Sequence, residues 1–545
     1  MKLGLLQLNS TIGDFPANVS KLLSGYEKAL SLGAEFVLAP ELFLCGYPPR
    51  DLLLRPDFIA ANLAALQAAA KGTGRVPLCV GYVDRNPDRP GRALRNAAAV
   101  LYKGNIIWRT IKSLLPTYDV FDEDRYFEPG KQVVPVDFGG QKMAVTICED
   151  IWNDEDFWPE RLYRRDPVKE AIAQGAGLLV NISASPWSVG KESVRLEMLR
   201  RVARDEKTPL AQVNLVGAND ELIFDGHSVA LDSRGNVIAM GRGFDEDVFV
   251  VDMEASGGQT TVEFSSREAQ IFSALSLGIR DYVRKCGFKS VIVGLSGGID
   301  SALTAVLATE ALGKDNVLGV AMPARYSSEG SMVDAEAVAK NLGIHFEVLP
   351  IEPPFLAVEQ QLAKIFDGLK ADQTEENVQS RLRGVTLMAL ANKFNALVLT
   401  TGNKSEMAVG YCTLYGDMDG ALAPLADVFK TDIYKIARWI NREQEIIPQN
   451  TIVKPPSAEL RPNQTDQDSL PPYETLDAIL DLYVVQNLSR EQIIDRGFEP
   501  ATVHDVLNKI NFSEYKRRQA APGLKISARA FGTGRRIPIA QRFCV

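Results

Sequence analysis

Eight consecutive residues, Gly294-Leu-Ser-Gly-Gly-Ile-Asp-Ser301, leave this chain few ways to fold. Ahead of them runs Lys289-Ser-Val-Ile-Val-Gly-Leu295, apolar, β-branched and short enough for a buried strand. Behind them, residues 301–312 are strong helix formers closed by Gly313. Strand, glycine turn and helix in that order gather unpaired N–H groups and the positive end of a helix dipole at one point, which suits an anion. The glycines at 297 and 298, beside Ser296, let the backbone approach phosphate oxygens closely. Asp300 then stands where a carboxylate holds Mg²⁺ against those oxygens. The loop has no Lys, so it is not the G-x-x-x-x-G-K-[ST] loop of ordinary nucleoside triphosphatases. The plain alternative is a turn that only joins a strand to a helix.

A chain of 545 residues exceeds one ordinary core, so two or more domains are expected. A net charge of -9 argues against a nucleic-acid-binding surface. No apolar run reaches the length of a membrane span, and the first nine residues alternate into a strand rather than a signal peptide. The six cysteines are scattered without zinc spacing, so a reduced cytoplasm is the expected setting. Three histidines make a histidine-based triad or metal cluster a poor reading.

Up to about residue 255 strands alternate with helices. Strands are expected over 2–8, 36–39, 78–82, 97–102, 142–147, 177–182 and 210–214, and helices over 17–32, 58–70 and 194–205. Several strands follow one another without a helix, which favours a two-layer α/β sandwich over a parallel barrel. Three strand ends carry chemistry: Glu41 in Ala39-Pro-Glu-Leu-Phe43, Lys112 after Ile106-Ile-Trp108, and Cys148 after Val145-Thr-Ile147. Taken singly, each has a bland reading as core or solvated residue. Together they form an amide-cleaving set: a thiol nucleophile, a carboxylate to move its proton, and an ammonium for the oxyanion. Cys45, near Glu41, is read as packing.

These segments resemble the nitrilase (carbon–nitrogen hydrolase) superfamily, and the resemblance covers most of residues 1–250. It implies an α-β-β-α sandwich, with Glu41 as general base, Lys112 as oxyanion stabiliser and Cys148 as the nucleophile forming a thioester. Glutamine-using members point further to Tyr118, Ser185 and Lys191 for the amino-acid end of glutamine.

Residues 256–265 read as a small, polar, glycine-bearing linker between domains at 1–255 and 266–545. Past it, strands near 289–295, 316–322, 344–349 and 396–401 alternate with helices, which implies a doubly wound parallel sheet of Rossmann-like kind. The Ser-Gly-Gly-Ile-Asp-Ser loop resembles that of the ATP-pyrophosphatases, which activate a carboxyl oxygen by adenylation. Thr400-Thr-Gly-Asn-Lys-Ser-Glu406, Glu376-Asn-Val-Gln-Ser-Arg-Leu-Arg383 and Pro424-Leu-Ala-Asp-Val-Phe-Lys-Thr-Asp432 narrow it further. They resemble the synthetase domain of the glutamine-dependent NAD⁺ synthetases. The resemblance implies that Gly294, Leu295, Ser296, Gly297, Gly298, Ile299, Asp300, Ser301 and Thr401 bind ATP, with Asp300 and Glu406 as Mg²⁺ carboxylates. It also assigns Asn377, Glu406 and Lys516 to deamido-NAD (nicotinic acid adenine dinucleotide), and a homo-oligomer, at least a dimer, is expected with it. Arg325 is a further candidate for the ATP phosphates, and residues 459–470 are either a lid or a surface loop. Three other readings stay open here: a different glutamine amidotransferase with this loop, an amidase that nucleotide only regulates, and a binding or scaffold protein with dead sites.

Overall fold

The computed structural model describes every residue except 89, 154–156, 159, 161, 255–259 and 544–545. The chain divides into two units, Met1–Ser265 and Ser266–Val545.

In the first unit β1 (Lys2–Gln7), β2 (Phe36–Leu38), β3 (Leu78–Arg85), β4 (Leu94–Tyr102) and β5 (Asn105–Ile111) lie side by side in one sheet. A second sheet holds β6 (Val136–Phe138), β7 (Gln141–Ile147), β8 (Leu178–Ser183) and β9 (Leu210–Asn214). After a ribbon of β10 (Val216–Asn219) and β11 (Leu222–Asp225), β12 (Val229–Leu231) and β13 (Val237–Met240) complete the second sheet and β14 (Asp247–Asp252) the first. The period-two alternation of these strands sorts their side chains into layers. Leu3, Leu5, Phe36 and Leu38 of one sheet share an apolar layer with Val145, Ile147, Val180 and Val213 of the other. The intervening residues Leu6, Val37 and Val80 bury against α1 (Phe15–Ser31) and α2 (Pro56–Lys71). Ala144, Leu179 and Leu210 do the same with α3 (Pro167–Ala173) and α4 (Lys191–Asp205). Helix, sheet, sheet, helix is the expected sandwich.

The expected linker falls outside the described residues up to 259. Beyond it, the Thr260 amide donates to the Val237 carbonyl at 2.9 Å, and Val262 and Phe264 pack with the core under α4.

In the second unit α5 (Arg267–Lys285) leads to β15 (Val291–Gly294) and α6 (Ile299–Leu312). There follow β16 (Val317–Ala321), α7 (Glu329–Leu342), β17 (His345–Val348), α8 (Glu352–Leu362), α9 (Gln373–Phe394) and β18 (Leu397–Leu399). The strands are parallel in the order β17-β16-β15-β18. Ile292, Val320 and Val398 pack with Ala391 of α9, while Val291 and Val293 are buried on the opposite face. The chain steps outward from β15 to β17 and then returns to β15's other side. That reversal places a topological switch point, where ligands of open parallel sheets collect, at the loop after β15. Past β18 come α10 (Lys404–Val409) and α11 (Lys430–Ile440). Among the described residues no helix is long and apolar enough to cross a membrane.

Candidate active sites

Glu41 follows β2, Lys112 follows β5 and Cys148 follows β7, so the two sheets of the first unit deliver the set from opposite sides. All three are buried, Glu41 and Lys112 with no exposure at all. Lys112 Nζ donates to Glu41 Oε1 at 2.7 Å and to both oxygens of Glu123 at 2.8 Å. Asn96 Nδ2 also donates to Glu41 Oε1 at 2.7 Å, and the Ala184 amide to Glu41 Oε2 at 3.0 Å. Burial alone would strip Lys112 of its proton, but the carboxylates of Glu123 and Glu41 hold its pKa well above the usual lysine range. It therefore remains an ammonium. Burial raises Glu123 to about 7, against the pull of Lys112. Burial, then the charge of Glu41, push the Cys148 thiol up, so at rest it keeps its proton and needs a base.

Cys148 has φ 42°, a left-handed conformation that a non-glycine residue adopts only under outside constraint. Asp150 supplies that constraint. Its Oδ2 accepts from the Ile147 amide at 3.0 Å, and its Oδ1 from the Ser113 and Leu114 amides at 2.8 Å each. One buried carboxylate thus ties the turn after Cys148 to the turn after Lys112.

Beside the thiol, Tyr118 donates to both oxygens of Glu149 at 3.0 Å, and Tyr163 donates to Oε1 at 3.0 Å. Lys191, the first residue of α4, donates to the Pro186 carbonyl at 2.7 Å and lies 5.3 Å from the centre of the Trp152 ring. The buried Ser185 has its amide on Asn214 Oδ1 at 3.0 Å. A carboxylate, an ammonium and a serine thus stand on the segments next to the buried thiol, groups of the kinds a zwitterion needs.

In the second unit the loop after β15 has the expected form. Leu295 continues the ladder, its amide on the Val320 carbonyl at 2.8 Å, and Leu295 and Ile299 bury their side chains, leaving backbone toward the turn. Gly297 has φ 78°, and a Cβ there would lie 2.2 Å from the Ser331 carbonyl oxygen, so only glycine fits. Ser301 Oγ accepts from the Ser296 amide at 3.2 Å and donates to the Gly298 carbonyl at 2.9 Å. No side chain caps α6, which begins at Ile299 after Gly298. Thr401 lies just past β18, across the switch point from the loop.

Asp300 and Glu406 meet on a single cation. Lys430 Nζ donates to Asp300 Oδ2 at 2.5 Å and to Glu406 Oε1 at 3.1 Å, while Asn403 Nδ2 donates to Asp300 Oδ1 at 2.9 Å. Burial raises Glu406 to about 8; burial works against Lys430 as well, but the two carboxylates keep it charged. Asn377 Oδ1 accepts from Thr413 Oγ1 at 2.9 Å, and Lys516 Nζ donates to the carbonyls of Gly410 and Cys412 at 2.8 and 2.7 Å. Both therefore brace the 410–413 stretch. Arg325 is engaged elsewhere, with Glu352 at 2.7 Å and Glu359 at 3.1 Å.

Sequence reasoning missed Glu123, Asp150, Glu149 and Lys430 as site residues. Nothing along the chain separates Glu123 from its acidic neighbours Asp122 and Asp124; only burial on Lys112 does. Lys430 is a buried lysine inside a motif already singled out, and its two carboxylate partners come from distant segments.

Residues 2–261 match the carbon–nitrogen hydrolase family and residues 271–520 the NAD synthase family. Over 550 residues the chain is 48% identical to the glutamine-dependent NAD(+) synthetase of Synechocystis sp., covering 99% of both chains. Over 583 residues it is 46% identical to that of Thermotoga maritima, covering 100% of this chain and 99% of the other. The structure of the glutamine-dependent NAD⁺ synthetase from Acinetobacter baumannii in complex with adenosine diphosphate matches with a TM-score of 0.78 at 37% identity. That match covers 99% of this chain and 98% of the other. An end-to-end likeness of this kind accounts for both units at once: the chain belongs to the glutamine-dependent NAD(+) synthetase family.

Proposed function

We propose that this chain makes NAD⁺ by amidating deamido-NAD with ammonia taken from glutamine, converting ATP to AMP and pyrophosphate. The observation that carries the reading is the buried Glu41–Lys112 pair beside Cys148, on a chain that also holds a complete lysine-free phosphate loop. Glu149 and Lys191 suit the ammonium and carboxylate of glutamine, with Tyr118 and Ser185 fixing their surroundings. Cys148 Sγ attacks the side-chain amide carbon as its proton passes to Glu41, and the Lys112 ammonium faces the oxyanion that forms. Glu41 returns the proton to the departing ammonia, and water then cleaves the thioester to glutamate.

In the second unit the nicotinate carboxylate of deamido-NAD attacks the α-phosphorus of ATP, giving an acyl adenylate and pyrophosphate. Ammonia displaces AMP from that adenylate. The loop amides and the α6 N-terminus face the phosphates. Asp300 and Glu406, already gathered on one ammonium, fit Mg²⁺ as hard oxygen donors. Among the described residues no cluster of three His, Cys, Asp or Glu is found, so these two carboxylates would hold the ion together with ATP. When bound, the ion neutralises charge on the leaving pyrophosphate. Asn377 and Lys516, bracing residues 410–413, shape the deamido-NAD side. The reading includes a cytoplasmic homo-oligomer of at least two chains, which a sedimentation mass of a single chain would contradict.

The test is stoichiometry. With glutamine, ATP, Mg²⁺ and deamido-NAD, each NAD⁺ formed should be matched by one AMP and one pyrophosphate. Glutamate without AMP would mean an amidase that nucleotide only regulates, and AMP without NAD⁺ a different acceptor.

A further inference from the structure

Asp225, the last residue of β11, is fully buried and touches none of the three residues that cleave the amide. Four donor contacts converge on its carboxylate. Arg195 reaches it with Nη1 at 3.0 Å and Nη2 at 2.6 Å, His227 with Nδ1 at 2.8 Å and Asn214 with Nδ2 at 3.2 Å. Burial opposes its charge, but the Arg195 guanidinium and His227 hold its carboxyl well below the usual range. A buried ion pair is a weak source of stability, since desolvation offsets most of the attraction. What such a pair supplies is a fixed geometry, and two of its three partners lead to the edge of the amide site. Asn214 Oδ1 holds the Ser185 amide at 3.0 Å. Arg195 stands one helical turn along α4 from Lys191, whose Nζ sits on the Pro186 carbonyl at 2.7 Å. The strand that carries Asp225 also accepts the Trp187 amide on the Ile223 carbonyl at 2.7 Å, so residues 185–187 hang from β9 and β11 together.

We propose that Asp225 is a positioning residue for glutamine: through Asn214 and Arg195 it sets the spacing between Ser185 and Lys191. The proposal rests on the reading that those two residues hold the amino-acid end of glutamine. Removing the carboxylate loosens the pocket edge while Cys148, Glu41 and Lys112 keep their own supports.

The experiment uses full-length Asp225→Asn, Asn214→Ala and Lys191→Met enzymes, each assayed for NAD⁺ formation with glutamine and separately with ammonium. Asp225→Asn and Asn214→Ala should raise the KM for glutamine about tenfold, keep kcat within about twofold, and leave ammonium-driven synthesis unchanged. Ammonium-driven synthesis also reports folding; where Asp225→Asn loses it, Asn214→Ala decides, since it leaves the Arg195 pair intact. A raised KM in Lys191→Met with a wild-type KM in the other two overturns the positioning role. A wild-type KM in Lys191→Met overturns instead the binding reading beneath it. A fall in kcat with both nitrogen sources in Asn214→Ala would show a merely structural role and also overturns the proposal.

Discussion

Lys112 is held by two carboxylates where the sequence pointed to one, and that changes what each acid can do. With Glu123 sharing the ammonium, Glu41 keeps one oxygen on Lys112 and the other on the Ala184 amide, and so stays oriented toward the thiol's turn. Glu123→Gln leaves the Lys112 ammonium to Glu41 alone, which holds that carboxylate more tightly on the lysine and away from the thiol. Glutamine-driven synthesis should fall at least tenfold, with ammonium-driven synthesis unchanged; equal rates with glutamine would remove Glu123 from the site. The same residue carries a pH signature. Its pKa is raised from 4.5 to about 7, so its contribution to stability is full below 4.5 and is lost as pH rises through 7. Glu123→Gln mimics the protonated form, so the melting temperature of the variant should decline less between pH 5 and 8 than that of wild type. Glu41, Lys112 and Cys148 were legible because each ends an apolar run and their types complete one another chemically. Glu123 and Asp150 were not, because their meaning lies in partners brought close only by the sandwich.

The strand–loop–helix of β15 and α6 was readable almost to the residue, since β-branched run, glycines and helix formers agree at every level. Its tightest point is Gly297, packed on the Ser331 carbonyl at the start of α7. Gly297→Ala puts a Cβ there at a positive φ, which costs about 1–3 kcal/mol, and pushes the loop off the geometry proposed to bind phosphate. It should lower the melting temperature and abolish ATP-dependent synthesis; near-normal turnover would mean that the loop does not cradle phosphate. Asp300→Ala should abolish synthesis with either nitrogen source, and retained turnover would remove the metal role proposed for it. Other elements left fainter traces. The strands β10 to β13 are three or four residues long, too short for period-two alternation to stand out. Residues 459–470 read as structure-poor, yet the Glu459 carboxylate accepts from Ser328 and Ser331 Oγ at 2.8 Å, and Asp466 accepts from Tyr473 at 2.7 Å. Contacts spanning more than 120 residues leave no mark on local pattern.

For the whole chain, the division of labour was legible because each unit carries a complete chemical set: thiol, carboxylate and ammonium in one, lysine-free phosphate loop and paired carboxylates in the other. In the proposed division the first unit serves only to make ammonia for the second. Its most direct test is NAD⁺ formation by wild type and Cys148→Ala with ATP, Mg²⁺ and deamido-NAD, supplied with glutamine or with ammonium. Cys148→Ala should lose synthesis from glutamine by at least a hundredfold and keep synthesis from ammonium near the wild-type rate. Continued synthesis from glutamine, or loss with both nitrogen sources, would overturn that division.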